Sequence, residues 1–252
     1  MPETMLAARG ITRRFGGLVA VNEVSLDLHR GTVHAVIGTN GAGKSTLINI
    51  LSGELPASAG QVLMNGEDIT AWPQPQRARQ GLGRSYQRST IFPALSAFEN
   101  CRLAAQAGNP RFWHWWRRAD GCARSRELAH HALQRTGLAD HAGTAAGLLP
   151  HGHKRQLEIA MCLAGEPQVL LLDEPLAGMG PEETERILAL LQSLKTDHAI
   201  LLVEHDMDAV FGNADRITVM VNGCVIASGS PTEIRANAQV QDAYLGDGSC
   251  TH

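Results

Sequence analysis

Three short stretches of this 252-residue chain carry side chains at spacings that suit phosphate chemistry. The first, Gly38-Thr39-Asn40-Gly41-Ala42-Gly43-Lys44-Ser45, fits the pattern G-x-x-x-x-G-K-[ST]. Gly41 and Gly43 let the backbone curl so that successive N–H groups face phosphate oxygens, where a side chain would obstruct the approach. A helix from Thr46 onward adds its positive N-terminal end. Lys44 can reach the β- and γ-phosphates, and the Ser45 hydroxyl can ligate Mg²⁺. The chain has only two other lysines, Lys154 and Lys195, so a lysine at this place is not a by-product of lysine-rich composition.

The second stretch is Leu170-Leu171-Leu172-Asp173-Glu174-Pro175. A carboxylate at the end of a buried strand sits at the carboxyl edge of a sheet, beside the phosphate loop. Asp173 can then hold Mg²⁺ through its water shell, and Glu174 can orient or deprotonate an attacking water. On its own the pair is equally a strand end followed by a helix cap. The third stretch, Val203-Glu204-His205, puts His205 at the end of the next apolar strand, in reach of a γ-phosphate or in a structural role.

The elements that must position these groups are legible in the apolar pattern. Strand-like segments run from Val24 to Ile37, broken by the turn Arg30-Gly31, and from Val62 to Met64, followed by Asn65-Gly66. From Ser96 to Ala107 and from Arg124 to Thr136 the texture is helical, with a mostly helical insert expected at roughly Arg88 to Gly147. After Pro150, Leu157, Ala160, Met161 and Ala164 form one helical face. Strands and helices then alternate: Val169 to Leu172, helix Pro181 to Leu194, Ala199 to Val203, helix Asp206 to Phe211. Such continuous apolar strands between helices predict parallel strands buried on both faces. A hairpin turned by Asn222-Gly223 and a short helix over Gln239 to Leu245 complete the chain. The fold class is α/β, doubly wound.

Composition narrows the classes. At 252 residues with 44% hydrophobic content, one α/β core with a subdomain is expected, with no disorder. The longest aliphatic run, Ala199 to Val203, is far short of a membrane span, and MPETMLAARG has no signal-peptide core. With 22 Lys+Arg against 25 Asp+Glu, no basic footprint for nucleic acid is present. Five scattered cysteines without a Cys-x-x-Cys pair fit reduced thiols. Three of the four tryptophans fall within Trp113 to Trp116, a cluster open to three readings: a small core, a partner-facing patch, or contact with a membrane surface.

Taken together and in this order, the motifs resemble those of the ATP-binding cassette (ABC) ATPases, over essentially the whole chain. The resemblance implies a P-loop NTPase (RecA-like) core with an N-terminal antiparallel β-subdomain and an inserted helical subdomain. The division would be 1–87 and 148–252 for the core and 88–147 for the insert. It implies ATP and Mg²⁺ as cofactors. Gly38, Thr39, Asn40, Gly41, Ala42, Gly43, Lys44, Ser45 and Thr46 would line the phosphates, with Ser45, Gln87 and Asp173 at the metal. Gln87, in SYQRS, resembles the Q-loop glutamine; with Glu174 and His205 it completes the catalytic set. Phe15, in RRFGG, matches the aromatic position that stacks on adenine, and is equally a core phenylalanine on its residue type. Leu149 to Ala160 occupies the place of the signature segment, whose Gly152 would meet the γ-phosphate bound by a second subunit.

Within that family, FGGLVAVNEVSL, LEIA, LAGMGPEET and DAYLG resemble ATP-binding subunits of branched-chain amino-acid importers. This implies a second ABC subunit, separate membrane permeases, an external solute-binding protein, and a cytoplasmic location on the inner face of the plasma membrane. Three departures stand out. The signature reads Leu149-Pro150-His151-Gly152-His153 in place of Leu-Ser-Gly-Gly-Gln, Thr39 replaces a common Pro, and Gly180 stands where many members have Asp. Pro150 lacks the serine hydroxyl and a backbone N–H, although a helix tolerates it at its start. His151, His153, Lys154 and Arg155 either supply replacement donors or form a solvated helix start. Two other readings stay open at this point: a soluble cassette ATPase acting on DNA or ribosomes, and a nucleotide-binding regulator with weak hydrolysis.

Overall fold

The computed structural model describes residues 3–86, 90–107 and 123–245. Two long antiparallel strands, β1 (Thr4–Phe15) and β2 (Leu18–His29), precede β3 (Val33–Gly38), which runs into helix α1 (Lys44–Ser52). Next come β4 (Ala59–Met64), β5 (Glu67–Asp68), α2 (Gln74–Arg79) and β6 (Leu82–Arg84). Three helices follow, α3 (Ala97–Ala107), α4 (Ala123–Arg135) and α5 (His151–Ala164). The last part alternates β7 (Val169–Asp173), α6 (Pro181–Leu194), β8 (Ala199–Val203), α7 (Met207–Asn213), β9 (Arg216–Val221) and β10 (Cys224–Gly229). Helices α8 (Pro231–Arg235) and α9 (Ala238–Leu245) end the described chain.

These strands form two sheets: β2-β1-β4-β5, antiparallel, and β10-β9-β3-β8-β7-β6. In the larger sheet β9, β3, β8, β7 and β6 are parallel and only β10 is antiparallel. Every residue of β3, β7 and β8 is buried, because both faces of the sheet are covered. Alternation along β7 divides it between two cores. Val169 and Leu171 join α1 and the first sheet, whereas Leu170 and Leu172 meet Ile187, Leu190, Leu191 and Leu194 of α6. A third apolar cluster joins α3 and α4 to Leu157, Ala160 and Ala164 of α5.

The predicted α6 and β8 have the bounds found, and Asn222 and Gly223 both take positive φ (48° and 81°), as a two-residue hairpin turn requires. The strand pattern starts earlier than Val24: β2 begins at Leu18, and β1 precedes it. Strand β1 escapes a period-of-two reading because its register with β2 shifts between Ala8 and Ile11, around Gly10 at φ 57°. Among the described residues, no helix is long and apolar enough to cross a membrane.

Candidate active site

Parallel register brings the three motifs to one sheet edge. Val36 of β3 pairs with Val203 of β8, and Val203 pairs with Asp173 of β7. The segments that follow these residues, 37–45, 204–205 and 174–176, therefore leave the sheet side by side at its carboxyl end.

Gly43 is the N-cap of α1 at φ 97°, so the helix begins at Lys44, two residues before the expected start. A Cβ on Gly43 would lie 2.3 Å from the carbonyl oxygen of Ala20 in β2, and one on Gly38 would lie 2.2 Å from that of Met220 in β9. Both positions thus admit only glycine. The loop is braced as well by the β9–β10 turn, where Gly223 N–H donates to the Ala42 carbonyl at 3.0 Å. Lys44 is buried and its ammonium donates to the carbonyl oxygens of Gly38 (2.6 Å) and Thr39 (3.0 Å). Thr39 thus contributes backbone, as its departure from Pro allows. Burial pulls the Lys44 pKa down, and the nearby Glu174 and Asp173 carboxylates oppose that shift. Ser45 is exposed in the first turn of α1, and Asn40 and Gly41 are exposed at the loop crest.

Asp173 is buried, and burial raises its pKa against the pull of Arg84, whose Nη2 lies 3.9 Å from Oδ2. Its other oxygen, Oδ1, is buried with no hydrogen-bond partner. A buried acceptor without a donor is costly and calls for a partner. The ATPase family implies Mg²⁺ here, and this orphan oxygen beside a hydroxyl-bearing phosphate loop is a donor set that fits a hard, oxygen-seeking cation. Glu174 follows at φ 47°, a left-handed conformation unusual for a residue with a side chain, and such strain is found at active sites. His205 stands beyond β8 with its ring 60% exposed, free to turn toward a ligand, and its Nδ1 lies 3.8 Å from Glu204.

Sequence reasoning missed Arg84 and gave Glu204 no role, and its reading of Arg155 as a replacement donor or part of a solvated helix start is corrected: that side chain is buried against the 173–175 carbonyls. Arg84 donates to Ser52 Oγ (2.5 Å), Glu54 (2.6 Å) and Asn49, and its guanidinium lies 4.6 Å from the centre of the Tyr86 ring. Arg155 and Glu204 are buried and bond the backbone of the 173–176 turn. Burial pushes the Glu204 carboxyl up, opposed by its two backbone N–H donors. Two of these groups have one partner at a local spacing, Arg155 with Glu158 three residues on and Glu204 with its neighbour His205, but neither pair points to the 173–176 turn.

At the signature segment, α5 begins directly after Pro150, which is its N-cap, so the helix survives the substitution. The Gly152 N–H donates to Glu183 Oε1 at 3.1 Å, and a Cβ at 152 would lie 2.5 Å from that oxygen. This helix end therefore already holds an anionic group, the carboxylate of α6, close against a position with no side chain. His151 is exposed near Gly178, and the His153 ring stacks obliquely on His141 with 4.7 Å between centres. Phe15 ends β1, paired with Leu18. Its ring is 45% exposed, and the Arg13 guanidinium lies 4.6 Å from its centre. It is a surface aromatic rather than a core one. Gln87 and the Trp113 to Trp116 cluster lie outside the described residues.

The comparisons with known proteins agree with this geometry. The family described as ABC transporter matches residues 21–177, and one described as branched-chain amino acid ATP-binding cassette transporter matches residues 224–249. The high-affinity branched-chain amino acid transport ATP-binding protein BraF of Pseudomonas aeruginosa is 39% identical, over 98% of this chain and 100% of its own length. LivG of Escherichia coli, a protein with the same description, is 38% identical over the same shares. Among solved structures, the ADP conformation of MJ1267, an ATP-binding cassette of an ABC transporter, superposes with a TM-score of 0.87 at 28% identity. That superposition covers 96% of this chain and 99% of the other. The phosphate loop, the acidic strand end and these near full-length likenesses converge: the chain belongs to the ABC transporter family of ATP-binding, ATP-hydrolysing cassettes.

Proposed function

We propose that this chain is the ATP-hydrolysing subunit of an importer for branched-chain or related amino acids and amides, working through separate membrane permease subunits. The observation that carries this reading is the shared sheet edge, where Lys44, Asp173 and Glu174 interact electrostatically and Asp173 Oδ1 lacks a partner. The names of the BraF and LivG relatives support the cargo class.

In this account the loop from Gly38 to Thr46 wraps the phosphates, Lys44 leaves its two loop carbonyls for the β- and γ-phosphate oxygens, and Phe15 offers its exposed ring to the adenine. Ser45, Gln87 and Asp173 would hold Mg²⁺, which when bound would supply charge neutralisation on the phosphate oxygens. Glu174 takes the proton of the attacking water, and His205 donates to the γ-phosphate. Gly152 and the α5 N-terminus meet the nucleotide of a second ABC subunit, a copy or a homologue, once Glu183 yields the site. Hydrolysis removes the charge that holds the pair closed.

The core spans 1–87 and 148–252 and the helical insert 88–147. A groove of about 310 Å³ between β6 and the helices α3 and α5, lined by Arg79, Tyr86, Thr90, Ala104 and Met161, suits a permease segment. The chain then sits on the cytoplasmic face of the membrane, with a solute-binding protein outside.

The test is purification of the tagged full chain from gently solubilised membranes, followed by reconstitution in proteoliposomes with leucine inside the binding protein's reach. Co-purified integral membrane proteins and ATP-dependent leucine uptake are expected. Recovery of ribosomes or DNA with no integral membrane protein overturns the reading. ATP binding without turnover in the assembled complex would instead establish the regulator that Pro150 suggests.

A further inference from the structure

Two buried charged side chains that this mechanism leaves unused grip the turn that carries Glu174. From one side, Arg155 of α5 donates through Nη2 to the carbonyl oxygens of Asp173 (2.7 Å) and Glu174 (2.8 Å), and through Nε to that of Pro175 (3.2 Å). Its Nη1 donates to the Tyr86 carbonyl (2.8 Å) and to Glu158 (2.5 Å), the latter fixing the guanidinium plane from its own helix. From the other side, Glu204 accepts the Leu176 N–H on Oε1 (2.8 Å) and the His205 N–H on Oε2 (3.3 Å). The Glu174 N–H itself donates to Val203 (2.9 Å). Three successive carbonyls and two N–H groups of a four-residue turn are thereby fixed, around a residue held at φ 47°.

Packing alone does not call for these groups. Burying a guanidinium and a carboxylate is costly, and apolar residues of similar volume generally serve a core at least as well. The two charges do not pair with each other: Arg155 gives three of its five bonds to carbonyls of the turn and one to Glu158, and Glu204 accepts from Leu176 of the turn and from its own neighbour His205. Two other glutamates, Glu23 (φ 51°) and Glu166 (φ 53°), take the left-handed conformation at exposed positions; what distinguishes Glu174 is the set of buried bonds from Arg155 and Glu204 to its turn.

We propose that Arg155 and Glu204 are positioning residues for hydrolysis: together they hold Glu174 in its left-handed conformation and set His205 at a fixed distance from it. The inference rests on the reading of Glu174 as the base. Because Arg155 lies on the signature helix, it also ties that helix to the turn of the catalytic carboxylate of its own chain and to the carbonyl of Tyr86, the residue that precedes Gln87.

The test uses the full chain in its reconstituted transporter, with the variants Glu204→Gln, Arg155→Lys, Glu174→Gln and Glu204→Gln/Glu174→Gln. A glutamine at 204 keeps one acceptor but turns an NH₂ toward the His205 N–H, and a lysine at 155 cannot span five acceptors. Displacing a reacting group by about 1 Å costs on the order of 10²-fold in rate. Each single clamp variant should therefore lower kcat by about that factor, with the Kd for a fluorescent ATP analogue held within about twofold. In single-turnover assays the double variant should be no slower than Glu174→Gln, because both changes act on one group. If Glu204→Gln and Arg155→Lys turn over at the wild-type rate while Glu174→Gln does not, the clamp is refuted and the base assignment stands. Wild-type turnover by Glu174→Gln refutes the base assignment, and the clamp with it. Equal losses of ATP affinity and kcat, or additive losses in the double variant, refute positioning in favour of a role in folding alone.

Discussion

His34 sits on β3, the strand that delivers the phosphate loop, and it makes acid sensitivity of the fold a quantitative matter. The ring is 2% exposed. Its Nδ1 lies 3.0 Å from the Asp27 carbonyl, which can only accept, so Nδ1 carries the proton and Nε2 accepts from Thr218 Oγ1 at 2.8 Å. Thr218 then accepts from Ser228 Oγ, also at 2.8 Å. A second ring proton would face the Thr218 hydroxyl in place of a lone pair and reverse this chain. Burial lowers the His34 pKa from 6.5 to about 4, aided by Arg216 and His29 and opposed by the Asp27 carbonyl and carboxylate. Between those pH values the unfolded chain binds a proton that the folded chain refuses. The stabilisation from a neutral His34 is complete above pH 6.5, lost as pH falls toward 4, and amounts to about 3 kcal/mol. The raised carboxyls of Asp173 and Glu204 titrate with the opposite sign, so the contrast must be drawn against a variant. Urea unfolding of wild type and His34→Gln from pH 7.5 to 4.5 isolates the term. The wild type should lose stability more steeply, the gap closing by about 2–3 kcal/mol. Parallel acid limbs for the two proteins would refute a buried neutral imidazole at this position.

Three further outcomes follow from the site. Gly43→Ala forces a Cβ to within 2.3 Å of the Ala20 oxygen at φ 97°, so thermal unfolding should show a loss of about 2 kcal/mol or more, roughly 5 °C, together with impaired nucleotide binding. Lys44→Ala removes a charged donor, so ATP affinity measured by calorimetry should fall about 10–100-fold while the melting temperature holds within about 2 °C. Pro150→Ser restores a hydroxyl and an N–H where α5 begins, and steady-state ATPase assays should show turnover rising about tenfold. An unchanged rate would mean that the Gly152 N–H and the neighbouring histidines already suffice.

What the sequence made legible was whatever is encoded locally. The phosphate loop is contiguous from Gly38 to Ser45, the acidic pair directly follows its strand, and α6 carries both its start signal, Gly180-Pro181, and its apolar stripe. Helix α8 carries a similar local signal, the Ser230 and Glu233 capping box with Pro231 between. The three-residue β6 is too short to show a period, and β1 hides behind its irregular register. The charged supports of the site were illegible for a different reason. Arg84 reaches residues 30 or more positions earlier, Arg155 reaches Tyr86 and the 173–175 carbonyls, and Glu204 reaches back to Leu176. No local spacing encodes such contacts; they exist only once β6, β7 and β8 are aligned. The Gly152–Glu183 contact is of the same kind, linking α5 to α6 across 31 positions.

The most direct test of the whole account is ATP turnover by the full chain, reconstituted with its membrane subunits, before and after Glu174→Gln. With Lys44 and the glycine loop intact, the variant should bind ATP as tightly as wild type and lose at least about 10²-fold in kcat. Turnover by the variant within a few-fold of wild type would contradict the assignment of hydrolysis to this sheet edge.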